Sequence, residues 1–389
     1  MSDRVERVEC FVVTIPRDRP YLGGLLPGEE VNAQGYYVRK GNRTIYPAAD
    51  RSVAVRVTTA SGAVGWGETY GLVAPGAVTA MVSDVIAPFV VGRDPFDAAA
   101  VWDDLYDLQR VRGYTGGFWL DAVAGVDIAL WDVAARLAGQ PLCRLLGGRR
   151  RESIPAYVSG LPRATPADRQ ELARAHVSAG FDAIKLHAAV TADAIVAEVA
   201  GVREAIGPDV SLMLDLHWMF QPAEAVALIR RLERYDLRFV EAPCRTEDVA
   251  GLAWVADHVG TPVAVGEEWR TVFDCRARVE ARGCAIVQPE MGHTGVTQFM
   301  RIAQFAQAHH LRVAPHATIG CGIFMAASLH ASAAILDLPF HEYQPTIFDR
   351  NAALLDGVVE CRAGRYTLPP GPGHGVSPGA AFWTSAVPA

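Results

Sequence analysis

Three acidic residues recur at equal intervals in the second half of the chain. Asp215 in LMLDLHW, Glu241 in FVEAP and Glu267 in VGEEW are each separated from the next by 26 residues. Each closes a short apolar run that reads as a β-strand, and a barrel of parallel strands would set the three carboxylates side by side on one rim. Carboxylates that close raise one another's pKa unless a cation neutralises them. Oxygen ligands without cysteine suit a hard ion, Mg²⁺ before Zn²⁺.

Basic side chains flank the acids. The strand before Asp215 ends in Lys185-Leu186-His187, and alternation turns Lys185 and His187 to the same face. A later strand ends in Pro315-His316, on the opposite side of a barrel mouth. A metal that holds a substrate carboxylate, with a base on either side, is the apparatus for removing the proton α to that carboxylate. His217 shares the face of Asp215 by the same alternation. His293, in EMGHTG, stands on a loop where it would touch substrate.

The elements that must position these groups follow from the pattern of apolar residues. Eight strands are expected at 154–159, 183–187, 211–215, 238–241, 263–266, 285–288, 312–316 and 340–343. Amphipathic helices fit between them, for example at 166–178, 192–206 and 223–235. This rhythm predicts a closed parallel barrel rather than an open sheet. An apolar helix over 121–137 precedes the barrel. Residues 1–125 read as an α+β unit with strands at 8–15, 52–59 and 63–68 and helices at 76–90 and 97–109. A long segment at 17–46, rich in Gly, Pro, Tyr and charge, separates the first two strands; a loop of that length is expected to be either mobile or functional, and it carries Tyr36, Tyr37 and Arg39. The barrel is expected over 126–352. The Gly/Pro-rich tail, 353–389, is expected to pack back on the first unit.

Bulk properties narrow the partners. A net charge of −7 in 389 residues argues against nucleic acid and acidic membranes, both of which need a basic face. The charged start MSDRVERVEC lacks the apolar core of a signal peptide. The seven cysteines never form CxxC and read as reduced thiols of a cytoplasmic protein. A homo-oligomer acting on a small-molecule carboxylate is the expectation.

Across essentially its full length the chain resembles the mandelate racemase subgroup of the enolase superfamily. GWGE at 65–68 and VDIALWD at 126–132 are similar to that family's two recognisable non-catalytic stretches. The resemblance implies an α/β fold, a (β/α)8-type (modified β7α) TIM barrel with an α+β N-terminal capping domain. It implies Mg²⁺ bound by Asp215, Glu241 and Glu267. Lys185 and His187 fall on the family's Lys-x-Lys motif, with His in place of the second lysine. His316 matches the strand-seven histidine. Its partner is an aspartate in the family's QPD, and here the motif reads Gln288-Pro289-Glu290. Glu342 in HEYQ matches a substrate-binding glutamate, and the 17–46 loop, with Tyr37, matches the specificity lid. Asp-x-His at 215–217 is similar to acid-sugar dehydratases, in which the histidine lies near the leaving hydroxyl. The activity implied is dehydration of an aldonic or aldaric acid to a 2-keto-3-deoxy acid. A racemase, epimerase or lactone cycloisomerase would use the same enolate, and a non-catalytic sugar-acid-binding paralogue is the third reading.

Overall fold

The computed structural model describes residues 3–18, 23–188, 194–357 and 359–389. Residues 19–22 of the long loop and the first two residues of the helix expected at 192–206 therefore lie outside the described residues.

The cap is an antiparallel sheet covered by helices. Val5–Ile15 pairs with Asp50–Thr59, which pairs with Val64–Tyr70 through the Ser61-Gly62 turn. Alternation of valines along the middle strand buries Val53, Val55 and Val57 completely against the cap helices, which include Ala98–Arg110. The helix Gly117–Leu137 begins four residues before its expected start, and its side chains are buried almost throughout. It is apolar on all faces because it packs against both the cap sheet and the barrel helix Met291–Ala308.

The two sequence motifs of this region are joinery. A Cβ on Gly67 would collide with the carbonyl of Gly125 in that helix, so GWGE lets strand and helix backbones meet. Glu68 caps the barrel helix Ile323–Ala334, accepting from the amides of Ile323 (2.9 Å), Phe324 (3.1 Å) and Cys321. Asp132 accepts from the amides of Trp66 and His374, each at 2.9 Å, which ties cap, helix and tail together.

Eight parallel strands form the barrel: Ser153–Ser159, Ala183–His187, Ser211–Asp215, Leu237–Glu241, Val263–Val265, Ile286–Val287, Arg312–Val313 and His341–Tyr343. The last pairs with the first, and the Glu342 amide donates to the Pro315 carbonyl at 3.2 Å, closing the ring. Among the described residues seven long helices separate the eight strands, the second of them seen from Ile195 to Ile206. The strands expected at 285–288 and 312–316 are regular for only two residues each, because their C-terminal ends turn out into the loops that carry the site. Tyr157, Ala183, Met213, Phe239, Ala264, Ile286 and Ala314 fill the interior, so the barrel is a packed core open only at its rim.

The tail divides between the two units. Arg365–Thr367 pairs antiparallel with the first barrel strand, and Ala386–Pro388 adds an edge strand beside Val5–Ile15 in the cap. All seven cysteines are free. Among the described residues no single helix is long and apolar enough to cross a membrane.

Candidate active site

The barrel brings the three acids together. Asp215 and Glu241 are register partners on adjacent strands, and Glu267 follows the end of the next. Their ligand atoms fall into two clusters, each within 4.8 Å: His187, Asp215 and His217 in one, and Glu241, Glu267 and His316 in the other. Burial opposes the charge on Asp215, but His217 and His187 beside it prevail and hold its carboxyl well below the usual range. Glu267 is likewise opposed by burial and lowered to about 2 by His316. Glu241 goes the other way. Burial first, and then Asp215 and Glu267, push it up to about 8 against the pull of Lys185.

Glu241 Oε2 accepts from Lys185 Nζ and Gln288 Nε2, both at 2.7 Å, while its Oε1 is buried with no hydrogen-bond partner among the described residues. A buried carboxylate oxygen left alone is costly unless something cationic meets it. Three carboxylates around such an orphan fit a hard divalent cation.

The basic residues occupy distinct places. Lys185 is fully buried, its ammonium 2.7 Å from Glu241 and 3.1 Å from Glu342, and it does not line the cavity. Burial works against its charge, but these two carboxylates hold the pKa well above the ordinary lysine value. His187 bridges the wall: Nδ1 lies 3.0 Å from Asp215 Oδ2 and Nε2 lies 3.1 Å from Ser159 Oγ. His217 Nδ1 contacts the same Asp215 oxygen at 3.1 Å, and its amide donates to Oδ1 at 2.8 Å. His217 and Trp218 take left-handed backbone (φ 51 and 54), strain that aims the imidazole into the mouth.

His316 stands four strands round the ring from Asp215 and His217, which in an eight-stranded barrel is the opposite wall. Its Nδ1 lies 2.8 Å from Glu290 Oε2 and its Nε2 lies 3.0 Å from Glu267. Burial disfavours the imidazolium, but Glu267 and Glu342 outweigh it and raise the pKa well above the ordinary value. Glu290 and His316 also pair through their backbones, which brings the longer glutamate arm into reach. Glu342, expected from the sequence to bind substrate, is fully buried and does not line the cavity; it accepts from the Ala317 amide at 2.9 Å.

These groups surround a cavity of about 310 Å³. The long loop supplies part of its wall. Tyr36–Val38 pairs with Ile45–Pro47, and Tyr46 enters the lining with its hydroxyl 3.0 Å from His217 Nε2. Tyr37, expected from the sequence to touch substrate, is instead buried outside the lining. It is the cross-strand partner of Tyr46 and stacks on that ring at 5.8 Å. His293 does line the cavity, from the first turn of the helix Met291–Ala308 rather than from the loop expected, with Nδ1 2.7 Å from Asp121 and its ring stacked on Tyr70 at 4.2 Å.

Tyr46, Tyr70 and Asp121 are cavity residues that sequence reasoning missed. Tyr46 carried a weak signal as a tyrosine at the lid's end; Asp121 carried only that of an acid at the start of an apolar helix.

Residues 45–147 match the model of the mandelate racemase / muconate lactonizing enzyme N-terminal domain, and residues 168–381 match the enolase C-terminal domain-like model. The chain belongs to the mandelate racemase / muconate lactonizing enzyme family. As a member of that family it is 33% identical over 338 residues to D-galactarolactone cycloisomerase of Agrobacterium fabrum (83% of this chain, 88% of the relative). It is 33% identical over 349 residues to D-galactonate dehydratase of Ralstonia pickettii (86% and 90%). An enolase-superfamily member from Agrobacterium tumefaciens superposes with a TM-score of 0.97 at 53% identity over 100% of both chains. L-Talarate dehydratase from Polaromonas, solved with Mg and L-glucarate, gives 0.81 at 26% identity, covering 100% of this chain and 99% of that one.

Proposed function

We propose that this family enzyme removes the α-proton of a sugar acid and eliminates the β-hydroxyl, giving a 2-keto-3-deoxy acid. One observation carries the reading: His316, held from behind by Glu290, and His217 line one cavity from opposite walls, with Asp215 and Glu267 in the same lining and Glu241 buried beside them. Asp215, Glu241 and Glu267 would hold Mg²⁺, which when bound neutralises charge developing on the substrate carboxylate.

The chain's own residues supply the rest. Glu290 fixes the His316 ring through Nδ1, and Nε2, which meets Glu267 at 3.0 Å here, would take the C2 proton once that carboxylate is engaged by the cation. The electrons of the broken C2–H bond pass into an enolate of the substrate carboxylate, and its collapse forms the C2=C3 bond as the C3 hydroxyl leaves. His217 Nε2, across the cavity, donates the proton that makes the leaving group water. The resulting enol tautomerises to the ketone. Lys185, clasped by Glu241 and Glu342, is a fixed cation that orients both carboxylates, and His187 is an orienting contact on Asp215. The 17–46 loop, within a cap over 1–125, sets substrate preference.

The likeness to a lactone cycloisomerase favours a second reading, in which the same enolate, formed on a lactone substrate, expels the ring oxygen in place of hydroxide and opens the ring. One experiment separates them. The Mg²⁺-loaded protein is screened in D₂O against aldonic acids, aldaric acids and lactones, following 2-keto-acid formation and deuterium at C2. Keto acid formed with loss of water supports dehydration, ring opening of a lactone without loss of water supports the cycloisomerase, and neither keto acid nor exchange with any substrate overturns both.

A further inference from the structure

On the cap-facing side of the cavity lies a second histidine–carboxylate pair that the proton chemistry does not use. Asp121 is buried at the start of the helix Gly117–Leu137, and it accepts from His293 Nδ1 at 2.7 Å. It also accepts from Arg270 Nε at 3.1 Å and Nη2 at 3.2 Å, while Arg270 Nη1 donates to the Glu268 carbonyl at 2.7 Å. Tyr70 clamps the imidazole by stacking on it at 4.2 Å, and its hydroxyl donates to Glu290 at 3.1 Å. The pair is thus built, rigid and joined to the His316 dyad by one ring. His293, Arg270, Asp121 and Glu268 all line the cavity.

The hydrogen-bonding capacity of this wall can be counted. In the neutral ring, Nδ1–H given to Asp121 leaves the other nitrogen of His293 with a lone pair. Glu268 Oε2 is buried with no hydrogen-bond partner among the described residues, a second acceptor. Arg270 spends three of its N–H groups on Asp121 and Glu268, and its positive charge is matched by Asp121. A second substrate carboxylate would therefore meet a guanidinium whose charge Asp121 already matches and two further acceptors, with only the two remaining Arg270 N–H groups to donate to it. Hydroxyl groups, which donate as well as accept, satisfy the wall.

From this geometry we infer that Asp121, His293, Arg270 and Glu268 form a subsite for the hydroxylated, uncharged far end of the substrate, so that the enzyme takes aldonic rather than aldaric acids. The inference rests on the sugar-acid reading and fixes which acids.

Its test is a binding measurement, so turnover is not the readout. Calorimetric titration of the Mg²⁺-loaded His316→Asn protein, with galactonate against galactarate, gluconate against glucarate and mannonate against mannarate, compares acids that differ only at C6. The aldonate of at least one pair should bind about 10-fold or more tighter than its aldarate. Adding His293→Ala, or separately Glu268→Gln, should erase most of that preference by weakening the aldonate. Equal or tighter binding of every aldarate, or no binding by any aldonate, overturns the inference, as does a preference that survives both substitutions. Tight aldonate binding by that protein, with neither keto acid nor C2 exchange in the wild type, would instead overturn the proposed reaction and leave the subsite standing.

Discussion

The Tyr46 hydroxyl lies 3.0 Å from Nε2 of His217, so the last residues of the long loop touch the imidazole proposed to protonate the leaving group. Asn42 donates to the same hydroxyl at 2.8 Å, and His217 Nδ1 in turn meets Asp215. Loop position and acid position are therefore linked through a single oxygen. Substrate binding must either keep that oxygen in place or exchange it for a substrate hydroxyl.

Tyr46→Phe removes the oxygen and keeps the ring that stacks on Tyr37. One neutral hydrogen bond is worth about 0.5–1.5 kcal/mol, so kcat/KM should fall by roughly 3- to 10-fold with no change in thermal midpoint. Deuterium exchange at C2 should be less affected than keto-acid formation, because exchange does not require departure of the hydroxyl. Equal losses in both would show that Tyr46 positions the whole substrate rather than His217.

Glu241→Gln tests the metal site. The substitution keeps the side chain's shape and removes its charge, where an orphaned Oε1 and two neighbouring acids argue for a cation. Mg²⁺ affinity by equilibrium dialysis should drop at least 10- to 100-fold, the range found even for groups that only support a ligand. Turnover should vanish while the far-ultraviolet circular dichroism stays native. Undiminished Mg²⁺ binding in that variant would remove the metal site from the reading.

His316→Asn is nearly isosteric and should cost about 10²–10⁴-fold in kcat, the usual worth of a positioned acid or base. Mg²⁺ binding should persist. Glu290→Gln should fall between wild type and His316→Asn, since the ring remains but Nδ1 loses its charged acceptor. If His316→Asn turns over normally, the C2 proton is taken by another group, with His187 and His217 next to test.

What the sequence made legible depended on how local each signal was. The barrel strands were readable because each is a short apolar run bounded by turn residues, and the ends of three of them fell on Asp215, Glu241 and Glu267 by alternation and spacing alone. The environments of Lys185 and His187 were not readable. Both sit on one face of one strand, yet the first is sealed between Glu241 and Glu342 while the second lies at the cavity. Only the packing of neighbouring strands separates them. Asp121 was hidden for another reason: its partners Arg270 and His293 are 149 and 172 residues away in the chain. Tyr37 and Tyr46 differ by one hairpin, whose pairing decides which ring faces the mouth.

Two buried groups away from the metal cluster should give stability opposite dependences on pH. His341 is fully buried and neutral in its contacts, Nδ1 donating to the Glu342 carbonyl at 2.9 Å and Nε2 accepting from Ser328 Oγ at 2.8 Å. Burial lowers its pKa from 6.5 to about 4. Below 6.5 the unfolded chain binds the proton that the folded one refuses, so stability falls as pH drops from 6.5 towards 4 and is flat above. The shift sets a ceiling of about 3 kcal/mol on this loss. Asp127 is the mirror case. Burial raises it from 3.8 to about 7, against the hydrogen bonds that Thr297 donates through its hydroxyl (2.6 Å) and amide (2.9 Å). Here the folded chain holds the proton that the unfolded one releases, so this contribution is full below 3.8 and is lost as pH rises to 7. Thermal midpoints measured from pH 4.5 to 8 should therefore change slope in opposite senses in two variants. His341→Gln should flatten the acid-side fall, and Asp127→Asn should remove the decline towards neutrality. If both variants track the wild-type profile in parallel, neither group carries its burial into the pH dependence of folding.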